Sequence, residues 1–169
     1  MFVFLFGLAF VSAWFANLAT DKVSGQAVAI DGDSLRIAGR EIRLYGLDAP
    51  EYRQLCNNTQ NQSSTYPCGK IAASMLRRMA EKVTTICEGH EVDKYDRLLA
   101  VCTADGIELN REMVLQGWAV SFGDYENEEA QAKQNGVGLW AGKFDLPSDW
   151  RREEGRQHES DWLKSLFQW

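Results

Sequence analysis

The first twenty residues carry no charge of either sign. That removes the basic start of an ordinary secretory signal. The run 2–19 is nonetheless apolar and long enough for a short membrane helix. Val11, Ser12 and Ala13 also put small residues where a signal peptidase reads. Residues 1–20 are therefore expected to be a signal peptide or an N-terminal membrane anchor, with a buried helix of the fold as the plainer alternative. An excess of basic charge is missing as well: 18 Lys and Arg stand against 24 Asp and Glu, a net charge of -6. Proteins that grip nucleic acid usually show a basic face. The balance argues against such a face over the whole surface, but it leaves a local basic cleft open, because net charge does not report distribution. Histidine is scarce, at two residues, and no Cys-x-x-Cys pair occurs, so a zinc site has little to be built from. No internal repeat is present.

What is there suits one globular domain. The chain has 169 residues, 45% hydrophobic and 25% charged, enough to bury a single core. The four cysteines, Cys56, Cys68, Cys87 and Cys102, form an even set beyond an export-type segment and read as two disulfides. Three connectivities are possible. Sequence proximity favours Cys56–Cys68 across a polar loop, with Cys87–Cys102 as a cross-strand bridge. Free buried thiols are the alternative.

The region 21–48 reads as a strand meander. Leu35 and Ile37 alternate with Ser34 and Arg36, and Ile42 and Leu44 with Glu41, Arg43 and Tyr45, the period of two of a half-buried strand. Asp31-Gly32-Asp33 and Ala38-Gly39-Arg40 supply the turns. Pro50 ends the sheet after Asp48. A polar loop over 52–69 precedes a helix over 70–82, whose Ile71, Met75, Leu76 and Met79 share a face. Residues 83–87 and 97–103 read as strands, with a polar connection over 88–96. Leu109, Met113 and Val114 recur at helical spacing, and 127–134 makes a more polar helix stopped by Gly136 and Gly138. The order predicts an α+β, mainly β fold: a five-stranded antiparallel barrel with about three packed helices. An open α+β sheet is the competing arrangement. The domain spans 21–146. The tail 147–169 is charged and then aromatic, and Trp162, Leu163, Leu166 and Phe167 make a short amphipathic helix there.

Asp33, Asp48 and Glu51 are carboxylates beside turns or strand ends. Arg43 lies on the strand leading to Asp48, and Arg97 begins another strand. Such residues suit phosphodiester chemistry. Carboxylates can hold a divalent cation that neutralises phosphate charge. Guanidinium groups hold two phosphate oxygens and the pentacoordinate state. A further carboxylate can orient or deprotonate water. Spacing alone describes solvated turn carboxylates and a weak surface ion pair equally well.

Four elements in order go further. Ile30-Asp31-Gly32-Asp33-Ser34 resembles the IDGDT element of the staphylococcal nuclease family. The run from Arg43 to Glu51 resembles its RL-x-x-x-D-[TA]-PE element, and Asp93-Lys94-Tyr95-Asp96-Arg97 its DKYGR element. Glu129 to Lys133, followed by Leu139-Trp140, resembles its EAQAK…IW helix end. The resemblance covers about 23–140 and implies an OB-fold barrel. It implies that Asp33, Asp48 and the Ala49 carbonyl hold Ca2+, a cation suited to oxygen ligands. Glu51 then matches the residue that positions or activates water, and Arg43 and Arg97 the pair on the scissile phosphate. Lys94 and Tyr95 match contacts at the cleft edge. The implied protein is a calcium-dependent endonuclease of DNA and/or RNA with little sequence specificity. It is expected to act as a monomer in the periplasm, outside the cell or on the inner membrane. A catalytically weak OB-fold module that binds nucleic acid or protein is the second reading. A membrane-tethered protein whose tail recruits a partner is a third.

The sequence departs from the family pattern in places. Serine replaces threonine at 34. Asp96 replaces glycine, a position expected to need an unusual backbone angle, and its charge stands beside Arg97. The segment between Gly117 and Glu129 is short, which leaves Phe122 and Tyr125 as the aromatics available to face a base, with Tyr125 as the candidate substrate contact. The cysteines and Trp150-Arg151-Arg152 resemble features of exported bacterial relatives.

Overall fold

A computed structural model describes residues 20–58 and 64–166, with side chains of the last helix described through 157. The first three strands are β1 (Asp21–Ala29), β2 (Ser34–Ile37) and β3 (Arg40–Leu44), followed by the short β4 (Leu47–Asp48), β5 (Cys56–Asn58) and β6 (Thr65–Tyr66). Helix α1 (Cys68–Ala80) leads to β7 (Thr84–Val92), β8 (Leu98–Ala104) and β9 (Ile107–Glu108). Then come α2 (Leu109–Leu115), β10 (Val120–Ser121), α3 (Glu126–Asn135), a 3-10 turn at Gly138–Ala141, β11 (Gly142–Lys143) and α4 (Pro147–Leu166).

Five of these strands close a barrel. Antiparallel pairing runs β3-β2-β1-β7-β8, and β3 meets β8 in parallel, with Ile42 opposite Leu98 and Leu44 opposite Ala100. The chain is therefore an OB-type barrel carrying helices, as the element order predicts. The expectation of a wholly antiparallel barrel fails only at that closing seam. The β2–β3 hairpin turns through Ala38 and Gly39, both at positive φ (50° and 84°), the geometry that matches strand twist. Alternate residues of each strand point inward. Leu35, Ile37, Ile42, Leu44, Leu98 and Cys102 are buried with Leu76 of α1 and Leu109 and Met113 of α2.

The strand over 83–87 is longer than its apolar pattern suggests. It continues through Glu88–Val92, because β8 supplies partners as far as Leu98 opposite Val92. Pairing with a neighbour, not side-chain hydrophobicity, extends it. Gly89 allows the close pass: a Cβ there would lie 2.1 Å from the Leu99 carbonyl oxygen. The polar loop over 52–69 also carries structure. Its β5 pairs with β6 and with β11, and a small second core of Cys56, Cys68 and Leu139 sits beneath, flanked by Tyr66 and Phe144. Cys56–Cys68 and Cys87–Cys102 are both joined. Cys87 and Cys102 lie directly opposite each other on β7 and β8.

The tail helix is twenty residues long rather than short. Proline at its first position fits a helix start, where no N–H is needed. The expected aromatic stripe at 162–167 lies outside the described side chains. The export or anchor expectation falls on residues 1–19, likewise outside the described residues. Among the described residues no helix is long and apolar enough to cross a membrane.

Closing a 15-residue separation removes unfolded-state entropy equivalent to about 3 kcal/mol. Replacing Cys87 and Cys102 together by alanine is expected to lower unfolding stability by about 2–4 kcal/mol in urea titrations. A loss below about 0.5 kcal/mol would show that the bridge constrains little.

Candidate active site

The turn after β1 buries a carboxylate at the open end of the barrel. Asp33 is 4% exposed. Its Oδ1 accepts hydrogen bonds from Ser34 Oγ (3.0 Å) and Arg43 Nη1 (2.9 Å), and its Oδ2 accepts from the Ala49 N–H (3.0 Å). Asp48, on β4 and held there by pairing with Val120, is 3% exposed. Its Oδ1 accepts from Arg43 Nη2 at 2.8 Å. One guanidinium on β3 thus bridges two buried carboxylates. Strand alternation puts Arg43 on the same side as Ser34, its cross-strand partner.

Glu51 is held by its backbone. The Gln54 N–H donates to the Glu51 carbonyl (2.7 Å), while the Glu51 N–H donates to Gln54 Oε1 (3.2 Å). Gln54 is fully buried, and its Nε2 donates to the Asp145 carbonyl at 2.7 Å, just before α4. Gly69 packs flat on the same turn: a Cβ there would lie 1.8 Å from the Glu51 carbonyl oxygen. The Cys56–Cys68 bridge and the start of α1 therefore fix the height of Glu51 above the barrel.

Arg97 faces the same cleft from β8's entry. Its Nε and Nη2 donate to Asp93 Oδ2 at 2.8 and 2.6 Å, and Nη1 donates to Ser34 Oγ at 3.3 Å. Burial works upward on the Asp93 carboxyl, but the Arg97 side chain and the Arg97 and Tyr95 N–H groups hold it below its ordinary range. Asp96 sits at φ 65°, the left-handed backbone that aspartate tolerates better than most residues. The charge that engages Arg97 is Asp93, not Asp96 as the sequence suggests. Tyr95 is 67% exposed, with Lys94 Nζ 4.9 Å from its ring centre.

A cleft of about 700 Å³ gathers these groups: Asp33, Arg43, Ala49, Glu51, Lys94, Tyr95 and Arg97 all line it. Tyr125 does not. Its hydroxyl donates to Glu108 Oε1 (2.7 Å), and its ring packs on the barrel core. Tyr125, expected as a substrate contact, thus packs on the barrel core and does not line this cleft. Phe122 is 73% exposed and lines the adjoining groove with Tyr45.

One cleft residue has no counterpart in the sequence reading of the site. Arg151, on the first turns of α4, donates from Nη2 to Asp48 Oδ2 (2.9 Å) and from Nη1 to Asp48 Oδ1 (3.1 Å) and Glu51 Oε1 (2.8 Å). These hydrogen bonds, Asp48 first, raise its pKa further. The Trp150-Arg151-Arg152 element is visible in the sequence, but a separation of 103 residues from Asp48 gives no signal of contact. Gln54 and Asp93 escape for another reason: each acts by orienting a neighbour.

Asp33, Asp48 and a backbone carbonyl such as that of Ala49 are all hard oxygen donors, the set Ca2+ prefers. Among the described residues no three acidic, His or Cys side chains converge closely enough to hold a metal ion by themselves. Arg43 and Arg151 bridge the carboxylates instead. The donor chemistry fits a hard divalent cation, provided a guanidinium gives way.

Comparison with known proteins places the chain among relatives. The sequence profile described as staphylococcal nuclease homologue matches residues 41–142. A protein of Rhizobium meliloti named succinoglycan biosynthesis protein ExoI is 37% identical over 129 residues, 72% of this chain and 66% of its own length. An uncharacterized endonuclease of Haemophilus influenzae is 33% identical over 138 residues, 73% of this chain and 70% of its own. A probable staphylococcal-like nuclease of Oryza sativa subsp. japonica is 28% identical over 130 residues, of which the chain spans 36% of the relative's length. The chain thus spans just under two thirds of the first relative and about a third of the plant one.

Burial raises the Asp33 carboxyl from 3.8 to about 7, against the pull of Arg43 and the Ala49 N–H. Below pH 3.8 both folded and unfolded chains hold that proton. As pH rises towards 7 the folded state keeps a proton the unfolded state has released, and the associated stability is lost. Relative to wild type, cation-free Asp33→Asn should therefore gain stability steadily from about pH 4 to about pH 7 and level off above. Thermal unfolding in chelator measures the slope. A constant offset across that window would contradict it.

Proposed function

The chain belongs to the staphylococcal nuclease family, and we propose that it is a calcium-dependent endonuclease that hydrolyses phosphodiester bonds of DNA and/or RNA. The observation that carries this is the Arg43 bridge. It ties Asp48 to Asp33, and Asp33 and Arg43 line a cleft that also presents Glu51 and Arg97. The endonuclease and nuclease names of two relatives support it.

Asp33, Asp48 and the Ala49 carbonyl would hold the cation. Bound there, it supplies charge neutralisation of the phosphate and polarisation of a phosphoryl oxygen. The remaining work falls to the chain. Glu51, with its side chain 34% exposed, can orient a water and take its proton at a carboxylate oxygen. Arg43 and Arg97 can each hold phosphate oxygens with a planar fork of donors. The pentacoordinate state carries more charge on those oxygens than the ground state, so the two guanidiniums favour it selectively. Arg97 must then exchange Asp93 for phosphate. Lys94 and Tyr95, at the rim, fit the flanking backbone.

Two disulfides support residence in an oxidising compartment, the periplasm or outside the cell. The binding-module reading draws on the acidic balance and on arginines already engaged by carboxylates.

Digestion of single-stranded DNA by the oxidised protein should require calcium and stop in chelator. Equal activity in both would sink the proposal. Glu51→Gln should reduce turnover by about a hundredfold or more while leaving DNA binding in place. A binding module would show no turnover to lose. Gly69→Ala should lower turnover by about a hundredfold by pushing on the Glu51 backbone, since small misplacements of a catalytic group have effects of that order. Unaltered turnover in a folded Gly69→Ala protein would mean that this packing does not set the position of Glu51.

A further inference from the structure

We propose that Arg151 is a built-in competitor for the divalent cation: its guanidinium holds the carboxylates of Asp48 and Glu51 in the cation-free protein, and cation binding displaces it. The inference rests on the reading that Asp48 ligates a cation.

The first support is occupancy. Both oxygens of Asp48 face donors of Arg151, and Oδ1 also accepts from Arg43. Oδ1, directed at two N–H donors, has no lone pair left, and Oδ2 has one of its two engaged. A cation gains full use of Asp48 when a guanidinium withdraws.

The second support identifies which one withdraws. The Arg43 side chain is 21% exposed, belongs to a barrel strand and also binds Asp33. The Arg151 side chain is 42% exposed and projects from α4, where Arg151 to Gln157 are all exposed. Buried Pro147 and the hydrogen bond from Gln54 to Asp145 anchor the helix just upstream. Arg151 can therefore leave without detaching the helix. The neighbouring arginines are engaged elsewhere: Arg152 pairs with Asp149 and Arg156 with Glu153, both within the helix. Only Arg151 of these three is directed at the cleft.

The third support is charge. Asp33, Asp48 and Glu51 face Arg43 and Arg151. A divalent ion makes Arg151 the surplus charge, repelled by the ion and deprived of its acceptors.

The test is calcium titration by calorimetry on the full oxidised chain without nucleic acid, comparing wild type, Arg151→Gln, Arg151→Lys, Arg156→Gln and Asp48→Asn. Arg151→Gln should bind calcium about tenfold more tightly, the lower end of what hydrogen bonds to a charged group contribute. Arg151→Lys, which keeps the charge but loses the fork, should fall between. Arg156→Gln should match wild type. Amide hydrogen exchange over 147–156 should quicken in wild type on saturation with calcium. Unchanged or weaker calcium affinity in Arg151→Gln, or exchange indifferent to calcium, overturns the proposal while leaving the cation site intact. Calcium binding that Asp48→Asn does not abolish, or no binding at all, brings down the cation site and this inference together.

Discussion

Arg43 reaches across the open end of the barrel to two carboxylates that water barely touches, and the rest of the cleft depends on that bridge. Asp33 and Asp48 are each nearly buried, on a turn and a two-residue strand that follow from different hairpins. Left alone, two such carboxylates would repel each other and pay heavily for lost hydration. A planar guanidinium meets both with one donor each. Replacing such a pair by apolar residues often leaves stability unchanged or improved, whereas removing one member is strongly destabilising. The arrangement is therefore poor as a device for stability. Its position beside a cleft points to chemistry instead.

A bridge of this kind has value only if Glu51 stands at a fixed distance from it. The barrel does not provide that, because Pro50 has already ended the sheet. The fixing comes from outside the barrel. The Cys56–Cys68 bridge, the small β5-β6-β11 sheet and the buried amide of Gln54 form a second support on which the Glu51 turn rests. The described parts of this polar segment, 52–58 and 64–69, are thus more than a spacer. Its disulfide compensates for a core too small to order the segment alone.

The barrel and the five central side chains were legible because each leaves a local trace. Alternation of apolar residues marks β2 and β3, and the Asp33, Arg43–Glu51 and Asp93–Arg97 motifs lie within short runs. What stayed hidden acts over distance or without charge. Gln54 is neutral and its partner Asp145 is 91 residues away. Arg151 sits in a helix whose pattern reads as a solvated charged face, and the residues from 152 to 157 do behave as one. Asp93 was visible inside its motif, yet the motif draws the eye to Arg97 and to the substituted position 96. Tyr125 misled for the opposite reason. An aromatic in a loop looks available, but its left-handed backbone at φ 69° directs the ring to the core.

The acidic balance of the chain takes on a different meaning once the cleft is resolved by residue. The charged side chains lining it are Asp31, Asp33, Glu51 and Asp93 against Arg43, Lys94, Arg97 and Arg151, four of each sign. Such a lining has no formal attraction for a polyanion. Under the proposed function, a divalent cation bound among the carboxylates would add two positive charges beside the proposed phosphate position and would free Arg151. Cation and nucleic acid would then favour each other's binding, and the coupling must be equal in both directions. A cleft of this design does not rely on a permanently basic face. It would become attractive to phosphate when loaded, so the composition that argues against a nucleic-acid protein in bulk is compatible with one whose affinity is conditional.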